Sequence, residues 1–228
     1  MKPLLDQPLG QIARRLAGAT AVFREYGLDF CCNGNRTLRA AASDASQDAG
    51  AIAARLQGLR LMAESDERDW AAASPKDLIA HILERYHEVH REQFPELIRL
   101  ARRVEQVHGE RAECPLGLAD HLCAMQQMLE SHMQKEEMIL FPMIERGAGA
   151  MAGGPIYIMR MEHDEHGQEL QRMAEMTNNL MPPSQACTAW RALYMGLGAM
   201  RDDLMQHIHL ENNILFEHAL NGQPAASA

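Results

Sequence analysis

Aromatic residues are scarce in this chain, at 5% of 228 positions. Sheets draw on aromatic and β-branched side chains, so the shortage argues against a β fold, and 16 Met with abundant Ala argue for helices. Positive charge is also lacking. The 22 Lys and Arg are outnumbered by 31 Asp and Glu, giving a net charge of −9, the wrong sign for a phosphate-binding surface, so nucleic acid is excluded as a partner. No apolar run approaches the roughly 18 residues of a membrane span. Met1 to Gly10 lacks the basic-then-apolar order of a secretory leader. The five cysteines (Cys31, Cys32, Cys114, Cys123 and Cys187) are odd in number and irregularly spaced, which argues against a disulfide framework. The expectation is a cytoplasmic, all-α protein without a membrane segment.

What the chain does contain is ordinary core material, 46% hydrophobic against 23% charged. Residues 1–62 read as a small helical N-terminal domain broken by turns: Asp6 and Pro8 open a helix, Gly27 closes another, and Cys32-Asn33-Gly34-Asn35 is a turn by composition. Residues 63–74 read as a linker. Ser74-Pro75-Lys76-Asp77 then supplies an N-cap, a proline at the first helical position and an acid in the first turn. Four long helices follow over residues 75–221, predicted at 75–108, 115–146, from about 155 to before Pro182, and 184–220 with Ser184 as the last N-cap. Short connections make this an up-down-up-down four-helix bundle. Residues 222–228 form a tail.

Each helix carries an apolar seam in alternating steps of three and four, the inward stripe of a bundle helix. On the first it is Leu83, His87, His90, Phe94, Leu97, Ala101 and Val104. The second has Leu118, Leu122, Met125, Leu129, His132, Glu136, Ile139 and Met143. The third has Ile156, Met159, His163, His166, Leu170 and Met173, and the fourth Leu193, Leu197, Met200, Leu204, His207, Glu211, Ile214 and His218. Polar residues interrupt these stripes mainly at one level, where they would face one another. There is also an internal repeat. His132-x-x-x-Glu136-x-x-Ile139-Leu140-Phe141 recurs as His207-x-x-x-Glu211-x-x-Ile214-Leu215-Phe216, and each copy follows a His-x-x-His pair, His87/His90 or His163/His166. The bundle therefore reads as two copies of one helical hairpin, each bringing half of a shared site.

His at i and Glu at i+4 lie one above the other and can reach the same metal or adjacent metals. Alone the pair is a weak signal, since about one is expected by chance in a chain with 11 His. Its weight comes from the register and the repeat. Burying several imidazoles and two carboxylates without a compensating ion costs several kcal/mol per charge. Protonated His paired with Glu would offset part of that, so a buried ion-pair network is the competing reading. Imidazole and carboxylate with no thiolate at the same level suit iron or manganese in a carboxylate-bridged dinuclear site. A single zinc fits less well, because six ligands exceed a closed tetrahedral set. The repeat alone does not choose between the first and second His of each His-x-x-His pair.

The bundle resembles hemerythrin-like di-iron domains. With the segment Pro8-Leu9-Gly10, Val22-Phe23 and Gly27-Leu28-Asp29-Phe30-Cys31-Cys32-Asn33-Gly34, nearly the whole chain resembles the Repair of Iron Centres family. The resemblance implies an oxo- or hydroxo-bridged pair of iron ions held by His87, His132, Glu136, His163, His207 and Glu211. It leaves His90 and His166 beside the ligands. It implies repair of iron–sulfur clusters damaged by nitric oxide or peroxide, with nitric oxide reduction, or oxygen and nitric oxide sensing, as alternatives. The implied partners are damaged iron–sulfur proteins and the small ligands nitric oxide or oxygen, with a homodimer as an alternative to a monomer. Cys31 and Cys32 become redox or iron-transfer thiols, while Cys114, Cys123 and Cys187 lie away from the polar level.

Overall fold

A computed structural model describes residues 3–16, 18–62 and 70–221. Most of the expected linker and the whole tail (residues 63–69 and 222–228) lie outside the described residues. The N-terminal region consists of α1 (Leu9–Arg15), α2 (Ala19–Glu25), α3 (Leu38–Asp44) and α4 (Ala49–Met62), preceded by a 3-10 turn at Leu4–Asp6. Gly27 ends α2 as expected. Its φ of 67° lets the Leu28 amide turn back onto the Phe23 carbonyl at 2.8 Å, closing the helix end. Leu9, Phe23, Phe30, Leu38, Ile52 and Leu56 fill the interior.

Four long helices make the bundle. α5 runs through Pro75–Ile82, a π turn at Leu83–His87 and Glu88–His108. α6 runs through Leu118–Lys135, a π turn at Glu136–Leu140 and Phe141–Glu145. α7 is the regular helix Gly153–Met176. α8 runs through Thr188–Leu210, a π turn at Glu211–Leu215 and Phe216–Asn221. α5 packs on α6 and α8, and α6 packs on α7. Ser74 caps α5 as expected, its hydroxyl accepting from the Asp77 amide at 3.1 Å.

Several expectations are corrected. Ser184 does not cap the last helix. A turn closed by the Ala186 amide on the Pro183 carbonyl intervenes, and the N-cap is Cys187. α6 starts at Leu118 rather than Pro115, after Gly117 in the left-handed region. Trp70, placed in the linker by composition, stacks on His81 with ring centroids 4.0 Å apart. The seams hold throughout α7 and as far as Ile214 in α8, but slip at the π turns of α5 and α6. In α6 the residues buried beyond Glu136 are Leu140, Phe141 and Ile144, while Ile139 is 54% exposed. In α5, Ile82 takes the buried place expected of Leu83.

The buried apolar residues form two clusters. One joins the N-terminal core to Phe94, Leu97, Leu118, Leu129, Trp190 and Leu204. The other gathers Leu78, Ile82, Tyr86, Phe141, Ile156 and Phe216. The polar level lies between them.

Candidate metal centre

All six residues expected at the polar level converge, each at most 1% exposed. His87, Glu136, His207 and Glu211 offer donor atoms within 4.8 Å of one another, and so do His132, Glu136, His163 and Glu211. The two carboxylates belong to both groups, so the arrangement is two adjacent sites sharing Glu136 and Glu211. Each carboxylate opens a π turn and His87 closes one, consistent with the habit of π turns to occur at functional positions.

The contacts within the cluster are hard to explain without a cation. His87 Nε2 and His207 Nε2 stand 3.1 Å apart, and His132 Nε2 and His163 Nε2 3.0 Å apart. Two donors on adjacent corners of an octahedron, each roughly 2.1 Å from its ion, would also stand about 3 Å apart. Both oxygens of Glu136 and Oε2 of Glu211 are buried and face imidazole Nε2 atoms, at 3.1–3.5 Å, that satisfy them only if protonated. A buried carboxylate left in that state is costly, whereas one that bridges metal ions is satisfied.

The outer ring nitrogens fix the orientation of three imidazoles. His87 Nδ1 lies 2.8 Å from Glu137 Oε1, His132 Nδ1 2.9 Å from Glu162 Oε2, and His163 Nδ1 2.9 Å from Asn212 Oδ1. Each partner accepts, so each Nδ1 carries the proton and each Nε2 turns a lone pair inward, the usual support of a metal-binding His. Nδ1 of His207 has no partner, and Tyr86 instead stacks on its ring at 5.4 Å. The sequence reading passed over Glu137, Glu162 and Asn212. Their adjacency to candidate ligands was the available signal.

Without a metal, protons take over part of its charge. Burial disfavours the charged form of His132, yet Glu136 and Glu162 raise it to about 10. Burial works in the same way against Glu211, yet His207 and His163 hold it well below the usual carboxylate range. His90 and His166 are different. Burial, helped by neighbouring His rings, pushes them down to about 3 and about 2, so they stay neutral. They sit in ring contact with His207 and His132, outside both groups of converging donors, and their Nε2 atoms have no partner.

The two expected thiols lie against the same centre. Cys32 Sγ donates to the His163 carbonyl at 3.3 Å, and Asn212 Nδ2 donates to the Cys31 carbonyl at 3.2 Å. Asp29 gathers the pair, Oδ1 accepting from Cys31 Sγ and from the Cys32 amide. The sulfurs are 3.7 Å apart as free thiols. The hydrogen bond with Cys32, then burial, raises the Cys31 thiol well above its ordinary range. Cys114 is buried elsewhere in the core, Cys123 lies by Arg102, and Cys187 meets His108 Nε2 at 3.2 Å.

A four-helix bundle with imidazoles and two shared carboxylates at one buried level defines a dinuclear metal protein, and this donor set suits a pair of iron ions. Residues 78–219 match the hemerythrin HHE cation binding domain, and residues 5–60 match ScdA_N, a domain of unknown function. Over 218 residues the chain is 50% identical to the iron-sulfur cluster repair protein YtfE of Dickeya chrysanthemi, covering 96% of this chain and 98% of that one. The proteins of the same name from Yersinia pseudotuberculosis and Citrobacter koseri are 49% identical over the same shares. The chain belongs to the hemerythrin HHE cation-binding family, with the ScdA_N match preceding that domain.

Proposed function

We propose that this is a cytoplasmic non-haem di-iron protein that repairs iron–sulfur clusters damaged by nitrosative or oxidative stress, by donating iron. The observation that carries the reading is the docking of a vicinal thiol pair on the chain that bears His163. Support comes also from the name of the full-length relatives, iron-sulfur cluster repair protein. In this reading His87, His132, His163 and His207 would each hold one ion, and Glu136 and Glu211 would be shared between the two. Bound iron supplies the cargo and a place for a small ligand such as nitric oxide or oxygen. Glu137, Glu162 and Asn212 keep three rings facing inward. Cys31 and Cys32 receive ferrous iron on its way out. A buried, protonated thiol is a poor nucleophile, but it loses its proton on binding a metal, so its environment suits iron acceptance better than redox attack.

The test uses reduced protein and a nitric-oxide-damaged iron–sulfur enzyme, with no added iron. Activity should return, and Cys31→Ser/Cys32→Ser should slow its return severalfold while the purified variant keeps its iron. Multiple-turnover nitrous oxide formation with no iron transferred would replace this reading with a nitric oxide reductase.

A further inference from the structure

We infer that Asn212 is a positioning residue that couples iron held at His163 to the docking of the Cys31–Cys32 thiols. The inference rests on the di-iron reading. Among the described residues, Asn212 is the one side chain bonded both to a candidate ligand ring and to the thiol segment: Oδ1 accepts from His163 Nδ1 at 2.9 Å, and Nδ2 donates to the Cys31 carbonyl at 3.2 Å. The amide's orientation is fixed by chemistry. A carbonyl oxygen can only accept, so nitrogen must face Cys31 and oxygen must face the imidazole N–H.

The repeat explains why this position carries an amide. Its counterpart in the first hairpin is Glu137, which follows Glu136 as Asn212 follows Glu211. Glu137 also accepts from a His Nδ1, but its second neighbour is the Arg91 guanidinium at 2.9 Å. A carboxylate serves there because both neighbours donate. At position 212 the second neighbour is a main-chain carbonyl, which a carboxylate would repel. The substitution occurs on the hairpin that receives the N-terminal domain.

A second contact reaches the same residue, from Cys32 Sγ to the His163 carbonyl at 3.3 Å. Thus the thiol segment holds His163 by its main chain and, through Asn212, by its ring. Next door, Asn213 does a different task. Its Nδ2 lies 3.5 Å from the Phe30 and Cys31 carbonyls and 3.1 Å from His209 Nδ1. A Cβ on Gly10 or Gly34 would come within 2.3 or 2.7 Å of its Oδ1, so two glycines allow the N-terminal backbone to close on it. Asn213 docks the domain without touching a candidate ligand. Asn212 links docking to the ring. Iron fixes the His163 ring, the fixed ring orients Asn212, and Asn212 holds the Cys31 carbonyl. Such coupling is reciprocal, so loosening the thiol segment must also loosen the iron.

The experiment measures iodoacetamide alkylation of Cys31 and Cys32 in the full chain, read by peptide mass spectrometry, with and without iron. Cys31 is 4% exposed, so its alkylation reports undocking. Wild type should react about fivefold or more slowly when iron-loaded. Asn212→Asp keeps the acceptor for His163 and loses the donor to Cys31. It should retain wild-type iron content, and its two rates should agree within about twofold of each other. Asn213→Ala should react faster in both states and keep the iron dependence. In the converse measurement, alkylated wild type should release iron to a chelator faster than unmodified protein, a difference absent in Asn212→Asp. Equal wild-type rates with and without iron, a wild-type ratio in Asn212→Asp, or iron loss in that variant would each overturn the inference. A wild type that binds no iron pair would instead overturn the di-iron reading.

Discussion

His132 and His207 occupy corresponding places in the two hairpins, yet only His132 has its outer N–H held by a carboxylate. Glu162 Oε2 fills that role, and is itself paired with Lys135. The corresponding position of the first hairpin is Tyr86, which offers a ring face, and His207 Nδ1 is left without a partner. Outer hydrogen bonds raise ligand basicity, and losing one typically costs about 10–100-fold in metal affinity. The position between His87 and His207 should therefore empty first. Chelation of the reduced protein should be biphasic, with a one-iron intermediate detectable by Mössbauer spectroscopy. Glu162→Gln should accelerate the slow phase by about 10-fold or more and spare the fast one. A single phase in wild type would contradict this. Glu136 and Glu211 each face both positions, so Glu136→Ala or Glu211→Ala should abolish binding of the pair, counted as iron per chain.

At the scale of the helix, the informative feature is the π turn. A regular helix advances by roughly 100° per residue, and the extra residue of a π turn rotates everything beyond it by about that much. This is why the seam read from spacing was right up to Glu136 and one residue off afterwards, with Leu140 buried where Ile139 was expected. Proline is not the common cause: Pro142 follows the turn in α6, but its counterpart in α8 is Glu217 and the π turn remains. The six converging residues were legible because the repeat aligned the two halves, and because His132, Glu136, His207 and Glu211 precede or open their π turns while His163 lies on a helix without one. Glu137, Glu162 and Asn212 were not, since each lies beside the seam, where a polar side chain reads as a solvated face. The false Ser184 cap has a similar origin, because Pro-Pro-Ser resembles a helix start and only tertiary packing decides otherwise. Deleting Met138, which is 77% exposed, would remove the extra residue with little loss of packing. The helix should persist by circular dichroism while Glu136 and the Phe141 face fall out of register. Iron content should drop to one ion per chain or fewer; a deletion variant that keeps two would show that the turn is incidental.

Across the whole molecule the two regions divide the labour unequally. Every donor of the two sites that share Glu136 and Glu211 lies between His87 and Glu211, on the bundle, while the N-terminal region adds apolar cover and a separate gathering of Asp29, Cys31 and Cys32. Its core is continuous with the bundle's, Phe30 meeting His209 edge-on at 5.5 Å and the Gly10 and Gly34 backbone closing on Asn213. Removing it would bare that surface without removing a donor of those two sites. We propose that residues 75–221 form a unit able to fold and hold the metal alone. The fragment should bind two irons per chain and melt several degrees below the full protein, because the lost contacts include apolar burial worth about 25 cal/mol per Å². It should also yield iron to a chelator faster than the intact chain, and at least as fast as full-length Asn212→Asp, since both lack the Asn212–Cys31 bond and the fragment lacks the Cys32–His163 contact as well. Iron content and release rate separate two roles for the N-terminal region. A folded fragment without iron would mean that the region supplies a ligand, with Cys31 and Cys32 the residues to examine. A fragment that holds iron as tightly as the intact chain would mean that it only delivers thiols. Retained content with faster release is the outcome expected of a domain that restrains a cargo it does not bind at rest.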